Sequence, residues 1–102
     1  MTKQVYSIIR EDEKINIYKN AKVIYSILVA DKSINLMELY NNMNIDIEDD
    51  IVLEHPFEKI DEPTDDADRI YNNTIDFMDR LLKSIDSKLN MLRETRTDSI
   101  FN

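Results

Sequence analysis

Residues 65–95, DDADRIYNNTIDFMDRLLKSIDSKLNMLRET, carry the strongest periodic pattern in the 102-residue chain. Large apolar side chains recur every three or four residues, and the positions between them hold mostly Asn, Asp, Arg, Ser, Glu and Lys. This spacing is typical of an amphipathic helix with one broad apolar face. Thr64 or Asp65 is the expected N-cap, because short polar side chains can accept hydrogen bonds from the first free backbone N–H groups. The sequence therefore predicts a helix over residues 64–96.

This helix is long for so short a chain. Thirty-one residues at ~1.5 Å each extend about 46 Å, whereas a compact domain of this size is roughly 34 Å across. The N-terminal part of the chain can cover only some of the apolar face, so we expect a homodimer in which a second copy covers the rest. The side chains predicted for this dimer contact are Tyr71, Phe77, Met78, Leu81, Ile85, Leu89 and Leu92.

Residues 11–30 predict a second amphipathic helix. Its apolar positions are spaced by four, three and four residues, at Ile17, Ala21, Ile24 and Leu28. After a polar break, Asn35 followed by Glu38 predicts the start of a short third helix, with Asn35 as N-cap. Asn44 is the expected left-handed end of this helix. A helix, a short break and a capped helix resemble the first part of a helix-turn-helix motif.

Residues 46–63 show no sustained helical period and contain two prolines. We expect an acidic loop here, with one candidate short strand at residues 51–53. The predicted fold is therefore mainly α. We expect a single domain over residues 1–102. Its parts are an N-terminal helical part at 1–45, the acidic loop at 46–63, the long helix at 64–96 and a tail at 97–102. The prediction allows for one short strand or hairpin.

Negative charge is concentrated between Asp46 and Arg69. This stretch holds eleven of the twenty-one carboxylates and has a net charge of −9, whereas residues 1–45 carry +1 and residues 70–102 carry zero. Such a segment repels nucleic acid and attracts basic surfaces. The candidate partner-binding residues are Asp46, Glu48, Asp49, Asp50, Glu54, Glu58, Asp61 and Glu62.

These charges favour a non-enzymatic interaction or regulatory protein that binds a basic partner. One candidate partner is a nucleic-acid-binding protein whose basic groove the carboxylates occupy in place of phosphates, as in inhibitors, antitoxins and immunity proteins. The residue bias towards Ile, Asn, Asp and Lys is compatible with a phage or a mobile element of an AT-rich genome. Direct binding to nucleic acid is not expected, since the acidic segment opposes it.

Composition argues against several other classes of function. The chain has no Cys and no Gly, which argues against thiol chemistry, Cys-ligated metals and the usual glycine-rich phosphate-binding loops. We expect no catalytic residue, metal site or cofactor, and we interpret His55, the single histidine, as a surface residue. The longest apolar stretch, residues 23–30, is far shorter than the ~18 residues of a membrane helix. We expect a cytoplasmic protein without membrane contact.

Two alternatives remain open on the sequence. A dimeric helix-turn-helix regulator would bind DNA phosphates through Lys3, Arg10, Lys14, Lys19, Lys22 and Lys32. An all-α phosphohydrolase would hold Mg²⁺ with carboxylates three residues apart, as at Asp65 with Asp68 and Asp76 with Asp79.

Overall fold

The fold is α+β, with a four-stranded sheet and two helices. The computed structural model describes the backbone of residues 2–54 and 59–101, and the side chains of residues 3–54 and 59–95. Its elements in chain order are β1 (Thr2–Arg10), β2 (Lys14–Lys19), β3 (Lys22–Leu28), α1 (Leu36–Met43), β4 (Asp49–Leu53) and α2 (Asp66–Phe101). The strand order is β3-β2-β1-β4, with β4 parallel to β1 and the other neighbouring pairs antiparallel.

The prediction of a mainly α fold, with a helix over residues 11–30, is wrong. These residues form the β2–β3 hairpin, whose two-residue turn is Asn20–Ala21 with φ values of 52° and 67°. Positive φ at both positions is the geometry of the tight hairpin turn that Asn-Gly usually builds. Because the chain has no Gly, this turn carries no clear sequence signal. The helix-turn-helix scaffold is absent as well, since a strand stands where its first helix was expected.

The predicted starts of both helices and the predicted end of α1 agree with the structure, whereas α2 continues to Phe101, beyond its predicted end at residue 96 and into the predicted tail at 97–102. Asn35 caps α1 by accepting a hydrogen bond from the Glu38 N–H at 3.1 Å, and Asn44 ends it in the left-handed conformation with φ of 48°. At the start of α2, the Asp65 carboxylate accepts a hydrogen bond from the Asp68 N–H at 2.9 Å. These caps satisfy backbone groups that have no partner inside the helix. The predicted strand at residues 51–53 is also confirmed, as the end of β4.

The core lies between one face of the sheet and the two helices. Strand alternation turns Tyr6 and Ile8 of β1 towards the same face as Ile15 and Ile17 of β2, and the register places Ile17 opposite Ile8. The fully buried side chains of this core are Tyr6, Ile8, Ile15, Ile17, Ile27, Leu39, Met43 and Met78. Both helices therefore cover one face, and the opposite face has no covering layer within the described residues.

α2 runs antiparallel to β1 and β4 and is fastened near both ends. At its start, Asp68 Oδ1 lies 2.9 Å from Arg10 Nε at the end of β1. Towards its other end, Arg93 donates to the backbone carbonyls of Ile47 and Asp49, each at 2.6 Å. At ~1.5 Å per residue, its 36 residues span about 54 Å, which accounts for the longest dimension of the molecule, 57 Å. No helix in the described part of the chain combines the length and apolarity needed to cross a bilayer.

Candidate interaction surfaces

The structure separates the predicted partner-binding carboxylates into two groups. Asp49 is buried, at 7% exposure, and accepts hydrogen bonds from the Asp46 N–H at 2.9 Å and from the Gln4 amide at 3.4 Å. Asp49 therefore stabilises the turn that leads into β4 and is not exposed to a partner. The other described members of the set are exposed, namely Asp46, Glu48, Asp50, Glu54, Asp61 and Glu62. Glu58, like His55, lies outside the described residues.

Several other carboxylates of the acidic segment are neutralised within the molecule. Asp65 and Asp68 face Arg10, and Asp66 lies 3.0 Å from Lys32. The hydrogen bond and the charge of Lys32 lower the pKa of the Asp66 carboxyl below its usual value. These ion pairs join the start of α2 to β1 and to the loop before α1. The carboxylates at 65–68 are thus part of the scaffold, and the remaining charge lies nearer to β4.

We call Asp50, Glu54, Asp61 and Glu62 the acidic flank. All four are exposed, and none has a Lys or Arg within 4.0 Å among the side chains that the structure describes. Asp50 lies on β4, and Glu54 follows it directly. The other two belong to residues 59–65, which return along α2.

Residues 59 and 60 run along the side of α2 that adjoins β4. Ile60 exchanges two hydrogen bonds with the Asn72 side chain, at 2.8 and 2.9 Å, and Lys59 pairs with Asp76 at 2.7 Å. Asn72 and Asp76 are four residues apart and share a face of α2 with residues 79, 83 and 86. Those three residues lie beside β4. The side of α2 that holds residues 59 and 60 is therefore the side that adjoins β4.

A groove lies between β4 and α2. Its volume is about 350 Å³, and it is lined by Ile51, Val52, Leu53, Asp79, Leu82, Lys83 and Asp86. Leu82 is buried at the bottom, while Asp79 and Lys83 form an exposed ion pair at 2.9 Å. The groove thus combines an apolar floor with a charged rim, next to the exposed Asp50 and Glu54.

β4 is an edge strand, and its outer backbone groups can be identified from its pairing with β1. The Glu54 N–H donates to the Tyr6 carbonyl at 2.9 Å, in the register that places Leu53 beside Tyr6. Successive residues of a strand direct their N–H and C=O groups to opposite edges. Val52 and Glu54 therefore face β1, and Ile51 and Leu53 face outward. Among the described residues, the N–H and C=O groups of Ile51 and Leu53 have no hydrogen-bond partner.

The other edge of the sheet, at β3, is better protected. The Asn42 side chain of α1 donates to the Ile24 carbonyl at 2.7 Å, and the Leu28 carbonyl accepts from the N–H groups of Asp31 and Lys32. A register shift between Ile17 and Tyr18 adds an irregularity to the β2–β3 pair. Caps and bulges of this kind prevent an edge from pairing with another chain. At β4, only Asp49 has comparable cover, from the Asp46 carbonyl and Arg93.

Most of the predicted dimer residues contribute to the chain's own core. Met78, Ile85 and Leu89 are buried, and Tyr71, Phe77 and Leu81 are partly buried and packed against the core. Leu92 is the one member of this set that is exposed, at 54%, and its neighbour Met91 is exposed at 64%. The apolar surface available to a second copy on α2 is therefore confined, among the described side chains, to the region beyond Leu89. The dimer stays a prediction.

Most residues of the two alternative functions form contacts within the chain. Among the six cations considered for DNA phosphates, Arg10, Lys14 and Lys32 form ion pairs, and Lys19 donates to the Met43 carbonyl. Lys3 and Lys22 are exposed. The paired carboxylates considered for Mg²⁺ each face a cation within the chain. No group of three or more His, Asp or Glu side chains within the described residues is arranged to hold a metal ion.

Comparisons with known proteins give no relative for this chain. Scans against protein-family models, curated proteins and solved structures each found no significant match. The outer edge of β4 and its groove were not predicted from the sequence. The apolar run at residues 51–53 indicated a strand, but its place at the edge depends on pairing with β1.

Proposed function

We propose that this protein is a non-enzymatic interaction protein that binds a basic partner through the acidic flank. The observation that carries the proposal is the exposure of Asp50, Glu54, Asp61 and Glu62 with no cationic neighbour among the described side chains, while the carboxylates at 65–68 pair with Arg10 and Lys32. Four exposed carboxylates in a molecule with net charge −8 create a negative potential that favours encounters with a basic surface.

The partner that we propose is a nucleic-acid-binding protein whose basic groove accepts this flank in place of phosphates, so that the protein acts as an inhibitor or a regulator. The cations within β1–β3 and the loop before α1 are largely paired internally, which supports binding to a protein rather than to DNA. The proposal includes the cytoplasm as the compartment. It also includes a homodimer formed through the exposed end of α2 around Leu92.

The test compares two variants that lose the same charge. In the first, the four residues of the acidic flank are replaced by Asn or Gln. In the matched control, the same replacement is made at exposed carboxylates elsewhere, Asp12, Glu13, Asp31 and Glu38. Immobilised wild-type protein and both variants are used to capture proteins from an extract of the producing cells, at low salt and at about 0.15 M salt, where the Debye length is about 8 Å.

The expected result is a basic protein that is retained by the wild type and by the control, is lost from the flank variant and is weakened by salt. Equal retention by all three proteins would remove the acidic flank as the contact surface. Retention that falls equally in both variants would show that net charge acts without a defined site, and this outcome would also contradict the proposal.

A further inference from the structure

We infer that the partner docks as an extended strand added to the outer edge of β4, with basic side chains opposite Asp50 and Glu54. This inference rests on the proposed function and specifies the shape of its partner. Addition of a strand to an exposed sheet edge is a common mode of peptide recognition, in which backbone hydrogen bonds supply affinity and side chains supply specificity. β4 provides both kinds of contact.

Ile51 and Leu53 provide the backbone groups that an added strand would hydrogen-bond. Their N–H and C=O groups face away from β1 and have no partner among the described residues. An antiparallel strand whose residues lie opposite Leu53 and Ile51 can satisfy all four groups. The β3 edge lacks this capacity at Ile24 and Leu28, whose carbonyls are already occupied. Between these two residues only Ser26 keeps both of its outward backbone groups free among the described residues, so the β3 edge offers less than β4.

The preference for basic side chains follows from the direction of the side chains along β4, which alternates between the two faces of the sheet. Asp50, Val52 and Glu54 point to the face of the sheet without helices, whereas Ile51 and Leu53 point to the helical face and pack against the core. An added antiparallel strand therefore places one residue opposite each of Asp50, Val52 and Glu54. The favourable choices are basic, apolar and basic, since opposite charges across neighbouring strands attract. The residues of the added strand that lie between these three are beside the rim of the groove.

A second copy of the chain fits this edge poorly. Two β4 strands related by a two-fold axis can use all four outward groups only when Ile51 of one copy lies opposite Leu53 of the other. That register places Asp50 directly opposite Glu54, and symmetry repeats the pair. Like charges in directly opposite positions destabilise a strand pair. The exposed carboxylates therefore disfavour self-association at this edge and favour a basic strand.

The inference can be tested with a blocked seven-residue peptide of sequence TKVVTKT, whose two lysines align with Asp50 and Glu54. Two methylated versions provide the matched comparison. One carries N-methyl groups at the third and fifth residues, whose N–H groups face β4, and the other carries them at the second and fourth, whose N–H groups face away. Binding to the full chain is followed by NMR, together with amide hydrogen exchange of Ile51, Val52, Leu53 and Glu54.

The parent peptide and the version methylated at the second and fourth residues should slow exchange at Ile51 and Leu53. Exchange at Val52 and Glu54, whose N–H groups already pair with β1, should change little. Methylation at the third and fifth residues should abolish binding. Replacing Asp50 and Glu54 by Lys should raise the Kd about tenfold, whereas D12K with E13K, which alters the net charge equally, should leave it nearly unchanged.

Equal binding of the two methylated peptides would overturn strand addition and leave the charged contact of the proposed function standing. No protection of Ile51 and Leu53 at millimolar peptide would also overturn it, without affecting the capture experiment on the acidic flank. Protection that grows with protein concentration in the absence of peptide would assign this edge to a second copy and would contradict the basic occupant.

Discussion

Replacing Met78 by Ala should destabilise the protein strongly, whereas the same replacement at Met91 should not. Both residues belong to α2, but Met78 is fully buried between the helix and the sheet and Met91 is 64% exposed. Truncation of a buried Met to Ala removes apolar burial and leaves a cavity, at a typical cost of about 2–5 kcal/mol. Exposed helix positions usually change stability by less than about 0.5 kcal/mol.

These energies convert into a measurable difference in Tm. An unfolding entropy of about 2.1 cal/mol/K per residue gives roughly 0.21 kcal/mol/K for a chain of this length, so a loss of about 3 kcal/mol lowers Tm by about 14 °C. Typical domains unfold at a cost of about 5–15 kcal/mol, so the Met78→Ala variant should still fold in the cold. Thermal unfolding by circular dichroism and urea titration provide two independent measurements.

Met91→Ala is the matched control, and it also examines the proposed dimer. For a monomer, its Tm should equal that of the wild type at every protein concentration. If the end of α2 is buried in a dimer, Tm should rise with concentration and Met91→Ala should reduce that rise. A Met78→Ala variant as stable as Met91→Ala would refute the assignment of Met78 to the core and, with it, the packing of α2 on the sheet.

Three further predictions concern the turn, the core tyrosine and the fastening of α2. Ala21→Gly should stabilise the hairpin by up to about 1 kcal/mol in urea unfolding, because Ala adopts a φ of 67° that Gly accepts without strain. Burial, with a further contribution from Asp49, raises the pKa of Tyr6 to about 12, above the unfolded value of about 10. The folded state therefore retains a proton that the unfolded state loses, and stability should fall as the pH rises from about 10 to about 12. Tyr6→Phe should reduce that fall, leaving the smaller part due to Tyr71, whose pKa burial also raises, and should change stability at neutral pH by less than about 0.5 kcal/mol. Arg10→Met should cost about 1–2 kcal/mol in urea unfolding, because Asp68 loses its cation in a partly buried site; a variant as stable as the wild type would contradict this reason.

The starts of both helices and the end of α1 were predictable because their determinants are local. Asn35 and Asp65 each accept a hydrogen bond from a backbone N–H three residues ahead, and Asn44 adopts a left-handed conformation that its own short polar side chain tolerates. No distant part of the chain is needed for these contacts. The same holds for the strong apolar period of α2, which one helix face explains by itself.

The hairpin at residues 14–28 was missed because its apolar spacing supports two periods. Ile15 and Ile17 alternate with polar residues, as in a strand, but Ile17, Ala21, Ile24 and Leu28 also satisfy a helix period. The second pattern arises because a two-residue turn and a register shift separate the two strands. Pairing with β1 resolves the ambiguity, and that pairing is not visible in a local window of sequence.

The sequence alone determined the two helices, their starts, the end of α1 and the concentration of negative charge between residues 46 and 69, since each depends on residues close together in the chain. Only the tertiary structure decided which carboxylates remain available. Asp65 and Asp68 meet Arg10 across more than fifty positions, and β4 becomes an outer strand by pairing with β1. Such contacts join distant segments whose complementarity appears only after the chain has folded, so the exposed edge beside Asp50 and Glu54 is a product of topology rather than of local composition.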